Sequence, residues 1–187
     1  MNVHSTELPE VKIIKPDVHH DGRGWFFEVF HSQKFYALDL PTDFVQVNHS
    51  QSIYGTLRGL HAQRKNPQGK LIRVLEGEIF DVAVDIRRNS PTFGRWVVLR
   101  LSSENSLMGF VPPGFAHGFC VLSDSARVFY KCSDYYDLHD EGGILWSDPA
   151  IAIDWPIAHP IISEKDACLP VMSDIPPEKL YNPLKAP

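Results

Sequence analysis

A chain of 187 residues with 43% hydrophobic content is long enough to bury one sizeable core and too apolar to be disordered by default. Its formal net charge of −5 lacks the basic excess of a nucleic-acid binder, and its three cysteines, Cys120, Cys132 and Cys168, form no CxxC pair, so neither a disulfide framework nor a zinc knuckle organises it. No apolar run approaches the length of a membrane span and no secretion signal follows Met1, so a cytoplasmic protein without membrane or nucleic-acid partners is expected.

In chain order, Leu8–Ile14 reads as a short opening strand. The tight turn Asp21-Gly22-Arg23-Gly24 leads into the bulky, β-prone run Trp25–Phe30, with Arg23 and Glu28 flanking the aromatics as a solvated pair or as ligand contacts. His31–Leu40 is the best early helix candidate. Phe44–Ser50 alternates, so that Gln46 and Asn48 project from one face as paired hydrogen-bonding groups would.

The segment Gly55–Trp96 is the most informative. Ile79–Ile86 alternates strictly, with Phe80, Val82, Val84 and Ile86 on one side and Ile79, Asp81, Ala83 and Asp85 on the other. Gly77 breaks the pattern upstream, which predicts a hairpin of Lys70–Leu75 with Glu78–Ile86. Arg58, His61, Gln63 and Lys70 precede it among Gly55, Gly59 and Gly69, as a site on a rigid scaffold or as a surface loop with ordinary charges.

Further strands are expected at Trp96–Leu101, Leu107–Val111, around Phe115–Leu122 and at Ala126–Ser133, where Ala126, Val128, Tyr130 and Cys132 share a face. Gly142–Trp146 and Ile151–Trp155 read as short late strands, Ser163 as a helix cap, and a proline-rich tail begins at about residue 167. Roughly ten strands with little helix, no repeat and no linker predict one all-β domain over 1–187, an antiparallel sandwich or barrel with short helices.

Several segments occur in one order: Arg23-Gly24-Trp25-Phe26-Phe27-Glu28, Gln46-Val47-Asn48, LRGLHAQ (57–63), QGKLIRV (68–74), FDVAVDIRRNSPTFGRW (80–96), VPPGFAHGF (111–119), YKCSDYY (130–136), ILWSDP (144–149) and SEKD (163–166). Together they resemble the dTDP-4-dehydrorhamnose 3,5-epimerase family, over about residues 4–170. The resemblance implies a cupin-type jelly roll, a homodimer, a dTDP-sugar substrate and no cofactor. Metal-binding cupins carry His-x-His where this chain has His61-Ala62-Gln63, a poor set for a divalent metal, so no metal is expected. The family often places an aromatic where Ala62 stands, which bears on the pocket lining. A single-centre epimerase or ketoisomerase on a related dTDP-4-keto sugar, and a non-catalytic sugar-nucleotide-binding cupin, are the alternatives.

In dTDP-4-dehydro-6-deoxy-D-glucose the hydrogens on carbons 3 and 5 both adjoin the carbon 4 ketone and are acidic for that reason. Inversion needs a base on one face, an acid on the other and support for the enolate. His61, with a reference pKa of about 6.5, is the candidate base, and the resemblance supplies Asp166 as its orienting partner. Tyr130, a phenol of reference pKa about 10, is the candidate acid. Lys70 is placed near the carbon 4 oxygen, with Asp81 or Asp85 as its support. Arg23 and Arg58 suit the diphosphate. The resemblance adds Glu28, Gln46, Asn48, His117, Glu141 and Lys165 as substrate contacts. Tyr136 is a weaker alternative acid, or packs on base or sugar.

Overall fold

The computed structural model describes residues 1–181. Two antiparallel sheets face each other. The six-stranded sheet has the spatial order β1 (Asn2–Ser5), β2 (Lys12–Lys15), β10 (Met108–Val111), β7 (Lys70–Glu76), β12 (Ser125–Cys132) and β5 (Gln46–Ile53). The five-stranded sheet runs β13 (Glu141–Gly143), β6 (Leu57–Gln63), β11 (Phe115–Val121), β8 (Glu78–Asp85) and β9 (Trp96–Ser102). Apart from β1–β2 and β8–β9, the neighbours in both sheets are non-consecutive, which marks a jelly-roll-like sandwich. A separate two-stranded ribbon joins β3 (His19–Asp21) to β4 (Gly24–Phe26), and short helices α1 (Ser32–Ala37) and α2 (Glu164–Ala167) complete the elements that matter here. Among the described residues no helix is long and apolar enough to cross a membrane.

The core between the sheets is aliphatic: Ile72, Val74 and Val128 from one sheet meet Ile79, Ala83 and Leu99 from the other. Each Val, Leu or Ile among them, fully buried, contributes about 1.5–3 kcal/mol. A second apolar layer lies behind the five-stranded sheet. There Leu60, Val82 and Val84 are covered by Ile144, Ile151 and Trp155 of the late chain. The alternation in β8 is thus resolved: its greasy face turns outward to this layer, and its carboxylate face turns into the sandwich. A third cluster packs Phe35 of α1 on Ile14, Leu71 and Met108.

Four expectations are corrected. Lys70–Leu75 and Glu78–Ile86 do not pair as a hairpin: β7 and β8 belong to opposite sheets. Gly77, at φ +80°, turns the chain from one layer to the other, and a Cβ there would lie 2.1 Å from the Ser125 carbonyl oxygen. In the expected opening strand only Lys12–Lys15 is extended and paired; Leu8 and Val11 are buried in a turn closed by the Val11 N–H to the Leu8 carbonyl at 2.9 Å. Ile151–Trp155 is not a strand. Asp148 accepts the N–H groups of Ala150 and Ile151, and this turn presents Ile151 to the second layer. The aromatic run Trp25–Phe30 is strand only as far as Phe26. The proline-rich tail wraps the body as far as Tyr181, whose carbonyl accepts from the Arg88 N–H at 2.7 Å.

Candidate active site

A cavity of about 250 Å³ opens between the two sheets, with His61 on the five-stranded side and Lys70 and Tyr130 on the six-stranded side. Gln46, Asn48, Tyr136 and Glu141 also line it. Strand registers explain the gathering. On the inner face of the six-stranded sheet, Lys70, Cys132 and Gln46 lie side by side across β7, β12 and β5, and Ile72, Tyr130 and Asn48 form the next row.

The opposite wall depends on an irregularity. β11 pairs His117 with His61 and Phe119 with Arg58, so three steps along β6 match two along β11. Plain alternation would put Arg58 and His61 on opposite faces. The extra residue between them lets both address the interior, as bulges beside active sites commonly do. Arg58 accordingly reaches the inner face of the other sheet, where its Nε donates to Ser52 Oγ at 3.0 Å. Gly59 permits this path: at φ +119° its Cα passes so close to β11 that a Cβ would lie 2.6 Å from Gly118 Cα.

His61 Nε2 lies 2.7 Å from Asp166 Oδ1. Asp166 comes from α2, whose start is capped by Ser163 Oγ accepting the Asp166 N–H at 3.1 Å. Burial lowers the imidazole pKa below its ordinary value; Asp166 pulls it upward, and the nearby Lys70 and Lys165 charges push it down again. Asp166 itself is held below the usual carboxylate range, since the bonds from His61 and the Gly59 N–H outweigh its burial. The resting pair is therefore a neutral imidazole on a carboxylate, a base with its proton-accepting form populated at neutral pH.

Tyr130 is shifted the other way. Burial first, then its neighbours Cys132 and Glu141, raise the phenol above its ordinary value, so it keeps its proton. Lys70 is lowered by burial against the partial support of Cys132, Asp81 and Glu141. Glu141 accepts from Lys165 Nζ and from Tyr136 Oη, both at 2.7 Å, and ties these two residues to the rim. The Tyr136 phenol is thus engaged by Glu141, while Tyr130 also lines the cavity.

The two proposed supports of Lys70 separate. Asp85 is consumed by Arg87, Ser90 and Thr92 at 2.6–2.9 Å, a structural knot at the end of β8. Asp81 is fully buried, with Oδ2 2.8 Å from His117 Nε2, and its Oδ1 has no hydrogen-bond partner among the described residues. Its charge favours the ammonium of Lys70 through space.

Arg23 and Glu28 are not brought to this cavity within the chain. Arg23 is exposed in the β3–β4 ribbon and paired with Asp21; Glu28 bonds Lys34 at 2.8 Å. Gln63, singled out in the sequence beside His61 but given no role there, lies on the same face as His61 and lines the cavity. Its amide donates to the carbonyls of Asn66 and Tyr135 and accepts from the Asp137 N–H, pinning the loop that carries Tyr136. The His61-x-Gln63 alternation already held that signal. Ala62 belongs to both the cavity lining and the outer apolar layer. Among the described residues no three His, Cys, Asp or Glu side chains converge as a metal-holding group.

The sequence profile of the dTDP-4-dehydrorhamnose 3,5-epimerase family matches residues 5–174. The chain belongs to this family. It is 53% identical over 168 residues to the dTDP-4-dehydrorhamnose 3,5-epimerase of Shigella flexneri, covering 89% of this chain and 93% of that protein. Over 167 residues it is also 53% identical to the Neisseria gonorrhoeae protein of the same name, covering 89% of this chain; there it spans about half of the relative's length, 51%. A crystal structure of dTDP-6-deoxy-D-glucose-3,5-epimerase from Legionella pneumophila, in complex with dTDP-4-keto-L-rhamnose, superposes with a TM-score of 0.94 at 49% identity and covers 97% of both chains. The expected cupin-type architecture is thereby matched at the level of the whole fold.

Proposed function

We propose that this protein is a cofactor-independent dTDP-4-dehydrorhamnose 3,5-epimerase, inverting carbons 3 and 5 of dTDP-4-dehydro-6-deoxy-D-glucose, with His61 as base, Tyr130 as acid, Lys70 as enolate support and Asp166 as the partner of His61. The observation that carries the reading is the opposition of a carboxylate-backed neutral imidazole and a protonated phenol across one cavity, with an ammonium lining the same cavity on the phenol's side.

In each half of the reaction His61 takes the proton from a carbon next to the ketone. The electron pair moves into the enolate, whose oxygen Lys70 steadies; one such fixed donor lowers a barrier by about 3 kcal/mol. Tyr130 then delivers a proton to the opposite face, and exchange with solvent resets both groups. Repetition at the second carbon completes the double inversion. The ketone is the electron sink, so the reading requires neither a cofactor nor a metal. Gln46, Asn48 and Glu141 line the cavity as contacts for the rest of the nucleotide sugar, in one domain spanning the chain. Arg58, bonded to Ser52, and Lys165, bonded to Glu141, lie outside that lining and are proposed to reach the substrate on binding, whereas His117 is buried on Asp81 and acts through that pair.

The reading extends to a homodimer. Val47 and Ile53, 53% and 63% exposed, stand on the outer face of β5, an edge strand. Phe27 stacks on Trp25 and lies under Arg73 of the same outer face, so the ribbon with exposed Trp25 and Phe26 extends this apolar surface. Isolated apolar side chains are ordinary on a protein surface; a run along a sheet edge is a pairing surface. Burial of this face against a second copy carries Arg23 and Glu28, which lie outside the cavity of their own chain, to the partner's substrate. A diphosphate substrate does not cross membranes unaided, which places the reaction in the cytoplasm.

Proton NMR of the reaction in deuterium oxide tests the function. Deuterium entering at carbons 3 and 5 is the expected result. Exchange at one carbon alone replaces it with a single-centre epimerase, and no exchange leaves a binding protein.

A further inference from the structure

The mechanism leaves one buried, chemically capable side chain unused at the centre of the site. Cys132 is 1% exposed. On the inner face of the six-stranded sheet it is flanked directly by Lys70 on β7 and Gln46 on β5, and Tyr130 stands two residues before it on the same strand. Asn48, diagonal to it, points its Nδ2 at the sulfur, 3.6 Å away. The acid, the enolate support and two lining amides thus surround a single thiol.

The hydrogen bonds around it have a forced direction. The Tyr136 backbone N–H can only donate, so Gln46 uses Oε1 to accept it, at 2.8 Å. Gln46 is left with Nε2 facing Asn48, and this donates to Asn48 Oδ1 at 3.1 Å. Asn48 is left with Nδ2, which donates to Cys132 Sγ. Neither amide can flip without placing donor against donor. The chain runs from the rim loop to the sulfur, and the sulfur is its terminal acceptor.

We propose that Cys132 is a positioning residue: its sulfur accepts the last hydrogen bond of this relay, anchors Asn48 and through it Gln46 in the orientation that the Tyr136 N–H sets, and so holds the rim loop and the substrate-facing amides in register with Lys70. The thiol takes no part in proton transfer. Burial holds its pKa above the ordinary range despite the opposing influence of Lys70 and the Asn48 bond, so it stays neutral and serves as an acceptor. Its replacement therefore affects how substrate is held, more than the rate once it is bound.

The inference rests on the epimerase reading, which proton exchange by the wild-type protein tests separately. Its own test compares Cys132→Val, which is apolar and slightly bulkier and removes the acceptor, with Cys132→Ser, which keeps an acceptor. Cys132→Val is expected to raise KM for dTDP-4-dehydro-6-deoxy-D-glucose by about three- to tenfold, the size of one lost hydrogen bond, with kcat little changed. Cys132→Ser is expected to stay close to wild type. An unchanged KM in Cys132→Val, or equal damage from Val and Ser, overturns the proposal. Should Cys132→Val not fold, Cys132→Ala is combined with Asn48→Ala. The double variant is expected to raise KM no further than Asn48→Ala alone, and additive effects overturn the proposal.

Discussion

Asp166 is engaged at both oxygens: Oδ1 lies 2.7 Å from His61 Nε2, and Oδ2 accepts the Gly59 N–H at 3.1 Å. One carboxylate thus links the His61 imidazole to the backbone two residues before it and sets the orientation of the ring. Asp166→Asn keeps the shape but offers the ring an amide with a different donor pattern, which favours the wrong tautomer. We expect kcat to fall by about 10²–10³, within the range of general-base contributions, while dTDP binding persists. His61→Ala should abolish epimerisation with dTDP affinity retained. Steady-state kinetics with calorimetric titration of dTDP checks both, and undiminished turnover in His61→Ala removes it as the base.

The pH profile follows from the same pair. The active form of His61 is neutral, and burial lowers its pKa, so the acid limb of kcat/KM should have its midpoint below the reference of about 6.5. Asp166 works against that shift by stabilising the imidazolium; Asp166→Asn should move the limb to still lower pH. For stability, the folded state favours the neutral ring. His61's contribution is present above pH of about 6.5 and is lost as pH falls through the folded value. On the alkaline side burial lowers Lys70 and raises Tyr130. Loss of the Lys70 charge should contribute to the alkaline limb, and that contribution should disappear from the residual activity of Lys70→Met. A wild-type acid limb above 7 contradicts the assignment of His61.

Gly59→Ala tests the close passage of β6 over β11. A Cβ at residue 59 would sit 2.6 Å from Gly118 Cα and 2.7 Å from the His117 carbonyl oxygen, at φ +119°. These contacts are with backbone, so no side chain can move aside. Overpacking together with an unfavourable backbone region should cost about 2–5 kcal/mol. Urea unfolding measures it. Activity should fall beyond the loss of folded protein, because the Asp166 bond to the Gly59 N–H and the facing of Arg58 and His61 share that turn of chain.

The sandwich was legible because strand alternation is local. Ile79–Ile86 announced two faces, and Gln46 with Asn48 announced a shared one; both alternations hold in the structure. The pairing of strands was not legible, because pairing partners are chosen by distant packing. Gly77 marks a turn in either case, and nothing local says whether the next strand returns beside β7 or crosses to the other sheet. The same limit hid the joint facing of Arg58 and His61, which strict alternation denies and the irregularity at Gly59 permits. In the sequence Cys132 stands out only as sharing a face with Tyr130, and its sulfur acquires a role only once β5 and β7 lie on either side of it.

Arg23 decides whether the site is completed by a second copy. It is exposed and lies in the β3–β4 ribbon, outside the cavity of its own chain. If it acts on the partner's substrate, Arg23→Ala raises KM in every site of a homodimer, and His61→Ala silences every site of its own. A mixed dimer of the two variants contains one cavity with an intact His61 facing the intact Arg23 of the other chain. Co-expression with two affinity tags and tandem purification should therefore yield a heterodimer more active than either parent. If Arg23 acts within its own chain, neither cavity of the mixed dimer is whole and no activity returns. Light scattering on Val47→Glu supplies the companion measurement. A charge on the outer face of β5 should shift the protein to monomer and lower activity as Arg23→Ala does, and a fully active monomer would exclude a shared site.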